Sequence, residues 1–104
     1  MNDKSRFDYH QIDKILHSRI RLSVVSILAS CDKADFTSVK KAVGTTDGNL
    51  TSHCLKLEKA GYISIKKKFI KRKPVTSYCI TEKGRDALIH YAAKLASLIE
   101  TQGD

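Results

Sequence analysis

Six cations, Lys66, Lys67, Lys68, Lys71, Arg72 and Lys73, fall within eight positions, and the segment 62–80 around them has no acidic residue. Such side chains repel one another in water and are relieved by a polyanion. The chemistry they point to is capture of phosphate charge, which makes nucleic acid the first partner to consider. The rest of the chain is nearly balanced. Residues 1–61 carry 10 basic and 7 acidic side chains and residues 81–104 carry 3 and 4, so most of the net +8 is local to this block.

A second group lies just upstream. With Leu50, Cys54 and Leu57 facing inward at helical spacing, Asp47, Gly48, Asn49, Thr51, Ser52 and Lys56 point outward or flank the core, with Thr46 at the helix start. An Asn amide can bind adenine through two hydrogen bonds, Thr and Ser hydroxyls serve base edges or phosphates, and a Lys suits a phosphate. Gly48 would let another backbone approach closely. The Asp47 carboxylate would repel phosphate, and either caps the helix or reaches a base.

Bond-making chemistry finds no support. There is no Gly-rich phosphate loop, no GxSxG, no HExxH and no carboxylate pair in an apolar setting, so neither an enzyme nor a cofactor is expected. Cys31, Cys54 and Cys79 are odd in number, more than 20 positions apart, and form no CxxC or CxH unit. No disulfide framework and no metal site are expected from them. Cys54 reads as a small packed hydrophobe, and a redox-sensing role would depend on its exposure. His53 stands between the inward and outward faces, where it can fill space beside the core or hydrogen-bond a phosphate. His10, His17 and His90 have no matching partner in the sequence.

The elements that must position these groups follow from periodicity. A chain of 104 residues, 41% of them hydrophobic and only one Pro, fits one compact domain over 1–104 with a polar N-terminal tail at 1–10. The apolar run Leu22 to Cys31 is half of the roughly 20 residues a membrane span needs, and the N-terminus has no apolar signal core. A cytoplasmic protein without a membrane partner is expected.

Ile12, Ile15 and Leu16 recur at helical spacing, and Ser18 is placed to cap a second helix running to about Ser30. Cys31–Asp35 reads as a polar turn, and a short strand is expected between the second helix and the next. Phe36 follows, and Thr37 would cap a short helix ending at Val43, where Gly44 stops it. The next helix starts at Thr46 or Asp47 and ends at Ala60. Two helices joined by so short a turn make a helix-turn-helix.

Beyond Gly61 the period changes to two. Ile63 and Ile65 mark one strand and Thr76, Tyr78 and Ile80 another, with Lys67–Val75 as a projecting, mobile tip. Thr81 then caps a final helix over 82–100. Leu88, Tyr91, Ala92, Leu95, Leu98 and Ile99 form a stripe on that helix longer than so small a chain needs to cover. Together with Ile12, Ile15 and Leu16 it is expected to form a subunit interface. The fold class is mainly α with a small β-hairpin, an α+β arrangement.

At this point the chain resembles the winged helix-turn-helix regulators of the MarR and ArsR type, in particular their small single-domain branch. The resemblance rests on Ile15-Leu16-His17-Ser18-Arg19-Ile20-Arg21-Leu22 and on Leu50-Thr51-Ser52-His53-Cys54-Leu55-Lys56-Leu57-Glu58-Lys59-Ala60-Gly61-Tyr62-Ile63. It continues through Tyr78-Cys79-Ile80-Thr81-Glu82-Lys83-Gly84-Arg85. One departure is that Cys54 and Leu55 stand where the family usually has Leu and then a polar residue.

The resemblance implies a recognition helix over about 46–60 in the major groove and a wing over about 66–75 on the backbone or in the minor groove. Lys66, Lys68, Lys71, Arg72 and Lys73 are the expected wing contacts, Arg72 being the best suited to a narrow minor groove. It implies a homodimer on an inverted repeat, with successive major grooves about 34 Å apart. The sequence is silent on any small-molecule effector. The alternative is a winged-helix module binding RNA or a protein partner, which Phe69 and Ile70 keep open.

Overall fold

The computed structural model describes residues 11–103, with side chains for 11–100; the expected tail at 1–10 lies outside the described residues. Four helices and three strands follow one another among them: α1 (Arg19–Cys31), β1 (Lys33–Asp35), α2 (Phe36–Val43), α3 (Asp47–Lys59), β2 (Ile63–Ile70), β3 (Lys73–Ile80) and α4 (Glu82–Gly103).

Each helix starts at a polar cap. Ser18 Oγ accepts the Arg21 N–H for α1, Asp35 accepts Ser38 N–H for α2, and Thr46 accepts Asn49 N–H for α3. For α4, Thr81 Oγ1 accepts the Gly84 N–H at 2.9 Å while its hydroxyl donates to Gly61 O at 2.7 Å. That one side chain therefore fixes the angle between the end of α3 and the start of α4. Gly44 stops α2 in the left-handed region at φ 74°, which only glycine enters without strain.

The core forms where the apolar faces meet. Leu16, Val24, Val25, Leu28, Val39, Leu50, Cys54 and Leu57 are fully buried, and Ile63 and Tyr78 bring the sheet onto them. The stripe Leu50, Cys54 and Leu57 faces inward as the periodicity requires, and Leu55 lies at the surface. The sheet is antiparallel in the order β1-β3-β2, so β3 is the central strand.

Four local expectations are corrected. The segment around Ile12–Leu16 is a turn rather than a helix, because the Asp13 carboxylate takes the N–H groups of Ile15 and Leu16. The expected short strand falls inside the supposed polar turn, at Lys33–Asp35, its backbone completed by pairing with Cys79, Tyr78 and Ser77. The cap of α2 is Asp35, not Thr37. The supposed mobile tip is regular, since β2 and β3 pair without a break from Ile63↔Ile80 to Ile70↔Lys73.

Only Lys71 and Arg72 join those strands, at φ 51° and 66°. Two consecutive positive φ values at a two-residue connection fit a turn whose twist matches the strands, a geometry that usually selects Asn-Gly. Here two long cations occupy it instead.

Candidate nucleic-acid interface

Capping by Thr46 leaves the first turn of α3 on the surface, where Thr46, Asp47, Gly48 and Asn49 are all exposed. Thr51, Ser52 and Lys56 continue the same outward face. A methyl group built on Gly48 would meet nothing within 4 Å, so the backbone there is open to an approaching surface. Asp47 is drawn sideways to Lys40 of α2 at 2.5 Å, an exposed pair that adds little stability but offsets the acidic charge at this end.

The hairpin stands beside this face. Thr51 and Leu55 of α3 line one shallow cavity with Phe36, Ile65, Lys67, Thr76 and Tyr78. Helix and ribbon thus present a continuous surface. The pairing register sorts the ribbon into two sides, because side chains alternate along each strand. Ile63, Ile65, Lys67 and Phe69 share a side with Tyr78, Thr76 and Pro74. Lys66, Lys68 and Ile70 share the other with Val75 and Lys73.

The structure therefore places the expected wing cations at two locations. Lys71 and Arg72 form the apex, while Lys66, Lys68 and Lys73 lie on the side turned away from the α3 cavity. Lys67, which is not among the expected wing contacts, lines that cavity next to Thr51 and Leu55. Its period-two alternation with Ile63 and Ile65 is the signal in the sequence that could have found it.

Behind the outer face of α3 sits a polar contact the sequence does not announce. Arg21 Nη1 lies 2.9 Å from His53 Nδ1, and Arg21 Nε donates to Ile15 O at 2.6 Å. Partial burial first, then the charges of Arg21 and Lys56, hold the His53 pKa below its ordinary value. His53 is thus neutral and, with Nδ1 accepting from Arg21, carries its proton on Nε2. Cys54 lies inside, hydrogen-bonded to the Tyr78 hydroxyl, and burial pushes its thiol up to about 11. A thiol that stays protonated near neutral pH is a packing group rather than a redox-reactive one.

The expected interface residues of the terminal segments fall into two sets. Ile12, Leu16, Tyr91 and Leu98 are buried within this chain's own core, and Ile15, Leu88 and Leu95 pack partly against it. Ala92 is exposed, and Ile99 is 64% exposed. Ile89, absent from the expectation, is 63% exposed on the same helix. Among the described residues no group of three His, Cys, Asp or Glu side chains could hold a metal ion, and no helix is long and apolar enough to cross a membrane.

A helix-turn-helix followed by a basic antiparallel hairpin and a long closing helix defines the winged-helix class. The sequence matches the winged helix DNA-binding domain family over residues 20–99, and the chain belongs to that family. It is 35% identical over 85 residues to the uncharacterised protein MJ0432 of Methanocaldococcus jannaschii, covering 82% of this chain and 92% of that one. A transcriptional regulator homologue from Pyrococcus horikoshii OT3 superposes with a TM-score of 0.77 at 31% identity, over 83% of this chain and 85% of that one. A MarR-family transcriptional regulator from Silicibacter pomeroyi shares the fold alone, with a TM-score of 0.61 at 12% identity over 88% and 64% of the two chains. The chain is a winged-helix DNA-binding protein of the transcription-regulator type.

Proposed function

We propose that the chain is a sequence-specific regulator that binds double-stranded DNA as a homodimer on an inverted repeat. The observation that carries this is the shared surface of α3 and the hairpin, on which Thr51 and Lys67 line one cavity. A polar helix face and a cationic ribbon side by side match a major groove and the adjoining backbone or minor groove. Asn49, Thr51 and Ser52 read base edges, Thr46, Gly48 and Lys56 meet the backbone, and Lys66, Lys67, Lys68, Lys71, Arg72 and Lys73 neutralise phosphates. Asp47 tunes the helix start through Lys40.

The homodimer is supported by α4, whose Ile89, Ala92 and Ile99 remain exposed in the single chain. Their burial against a second copy would set two recognition helices for half-sites about 34 Å apart. The test is selection of duplexes from a random pool by the purified chain at about 0.15 M salt, followed by sequencing. Enrichment of an inverted repeat is expected. Absence of enrichment, with binding that fades steeply as salt rises, overturns sequence-specific recognition and leaves a general polyanion-binding module.

A further inference from the structure

Phe69 is 76% exposed, the most exposed large apolar side chain among the described residues. The fold gives it no reason to be there, since the core is closed by Ile63 and Tyr78, well below it on the same ribbon side. It stands directly across from Pro74, the only proline of the chain, and next to the Lys71-Arg72 turn. Cations surround it on both strands, and no acidic residue occurs between Tyr62 and Thr81.

We propose that Phe69, backed by Pro74, is a wedge that enters the minor groove and partly unstacks a base step, bending the duplex. This rests on the DNA-binding reading above and adds a mechanical act to it. A ribbon about 4.8 Å between strands, with side chains on both sides, is too broad for a minor groove about 6 Å wide. It enters tip first and by widening the groove, which an apolar wedge achieves when it kinks the helix axis away from itself. The pinned two-residue turn keeps the tip stiff enough to push. Charge selects the occupant: six cations around the tip fit a polyanion, and Phe69 with Pro74 on one side of the ribbon and Ile70, 48% exposed, on the other are far too little area for a stable protein interface. The step that opens most readily is a flexible pyrimidine–purine step such as TA, so the wedge also gives preference at base pairs that α3 does not touch.

The test uses the full chain and a duplex of about 30 base pairs rich in TA steps, with 2-aminopurine replacing adenines in those steps and a fluorophore pair at the ends. Binding is followed separately by anisotropy as salt is varied. The native chain is expected to raise 2-aminopurine fluorescence several-fold and to shorten the end-to-end distance. Phe69→Ala is expected to keep the salt slope, weaken affinity about tenfold and lose both signals, and Phe69→Tyr to restore them. Exposure of Phe69 means that the variant folds normally, which circular dichroism checks. Tight binding by the native chain without a fluorescence rise overturns the wedge, as does a Phe69→Ala variant that retains it. Phe69-dependent binding to vesicles containing phosphatidylserine, with no unstacking of the duplex, overturns it in favour of a membrane-facing tip. A native chain that binds no duplex at all overturns the DNA-binding reading beneath it instead.

Discussion

The Arg21 guanidinium on α1 holds the ring of His53 on α3 at 2.9 Å, and also takes the Ile15 carbonyl at 2.6 Å. One arginine thus joins the N-terminal segment to α3, the proposed recognition helix. The arrangement works only while His53 is neutral, because protonation removes the Nδ1 acceptor and sets two cations against each other.

Acidification should therefore weaken the fold through this pair. The His53 pKa is lowered in the folded state by burial, Arg21 and Lys56, so the unfolded chain binds the proton more readily. Stability is complete above the ordinary histidine value of 6.5, declines as pH falls through it, and levels off once the folded-state value is passed. Thermal unfolding of the native chain and of His53→Gln between about pH 7.5 and 5 checks this, the variant being expected to lack that part of the decline.

The apex cations should act on all duplexes alike. Lys71, Arg72 and Lys73 together replaced by Ala should weaken binding to specific and random DNA equally, and make the salt slope shallower by about 0.9 for each phosphate no longer neutralised. Anisotropy titrations over a series of salt concentrations measure it. An unchanged slope would remove the apex from the interface.

Asn49 should behave in the opposite way. It is exposed in the first turn of α3 beside the open backbone of Gly48. Asn49→Ala is expected to cost about 1 to 3 kcal/mol on the selected sequence and little on random DNA. Equal loss on both would show that the side chain only positions the protein.

Gly84 is the most closely packed of the glycines among the described residues. A Cβ there would stand 2.0 Å from the Tyr62 carbonyl oxygen, a backbone atom that cannot turn aside. Gly84→Ala gains about 1 kcal/mol of helix propensity but forces α4 off the α3–β2 turn, an overpacking cost of about 3 kcal/mol that wins. Denaturant unfolding should show a net loss of about 2 kcal/mol.

Assembly should depend on the exposed residues of α4 rather than on its buried ones. Ile89→Lys with Ile99→Lys is expected to give a monomer that still folds, read by analytical ultracentrifugation and circular dichroism, with a melting temperature lowered only by the loss of association. Leu98 is a poorer probe, since it is buried in the chain's own core and a charge there would unfold the subunit first.

The helices and their inward stripes are legible in the sequence because Leu50, Cys54 and Leu57 obey a helical period that nothing else in that stretch contradicts. The outward face of α3 follows from them by exclusion. The turn at Ile12–Leu16 imitates a helix because apolar side chains at helical spacing do not reveal that Asp13 competes for the backbone. The bounds of β1 are hidden since its pattern is exposed, half-buried and exposed, and its stability comes from β3, more than 40 positions away. The charge of the wing suggests a loose tip, whereas the ladder to Ile70↔Lys73 needs only backbone groups and is indifferent to lysine. The Arg21–His53 pair spans 32 positions and leaves no local trace.

The strand order gives the wing lysines a second consequence. β2 is an outer strand, so among the described residues one row of its backbone groups along Ile63–Ile70 has no strand to pair with. Such a row is a template on which another chain can add a strand and start aggregation. Lys66, Lys67 and Lys68 occupy the middle of it, and their mutual repulsion keeps a second copy from docking there. The charge proposed to meet a nucleic acid therefore also guards this edge against pairing with another chain. Neutralising these three lysines would trade reduced affinity for precipitation, whereas neutralising the apex at Lys71–Lys73 leaves the guard on β2 in place.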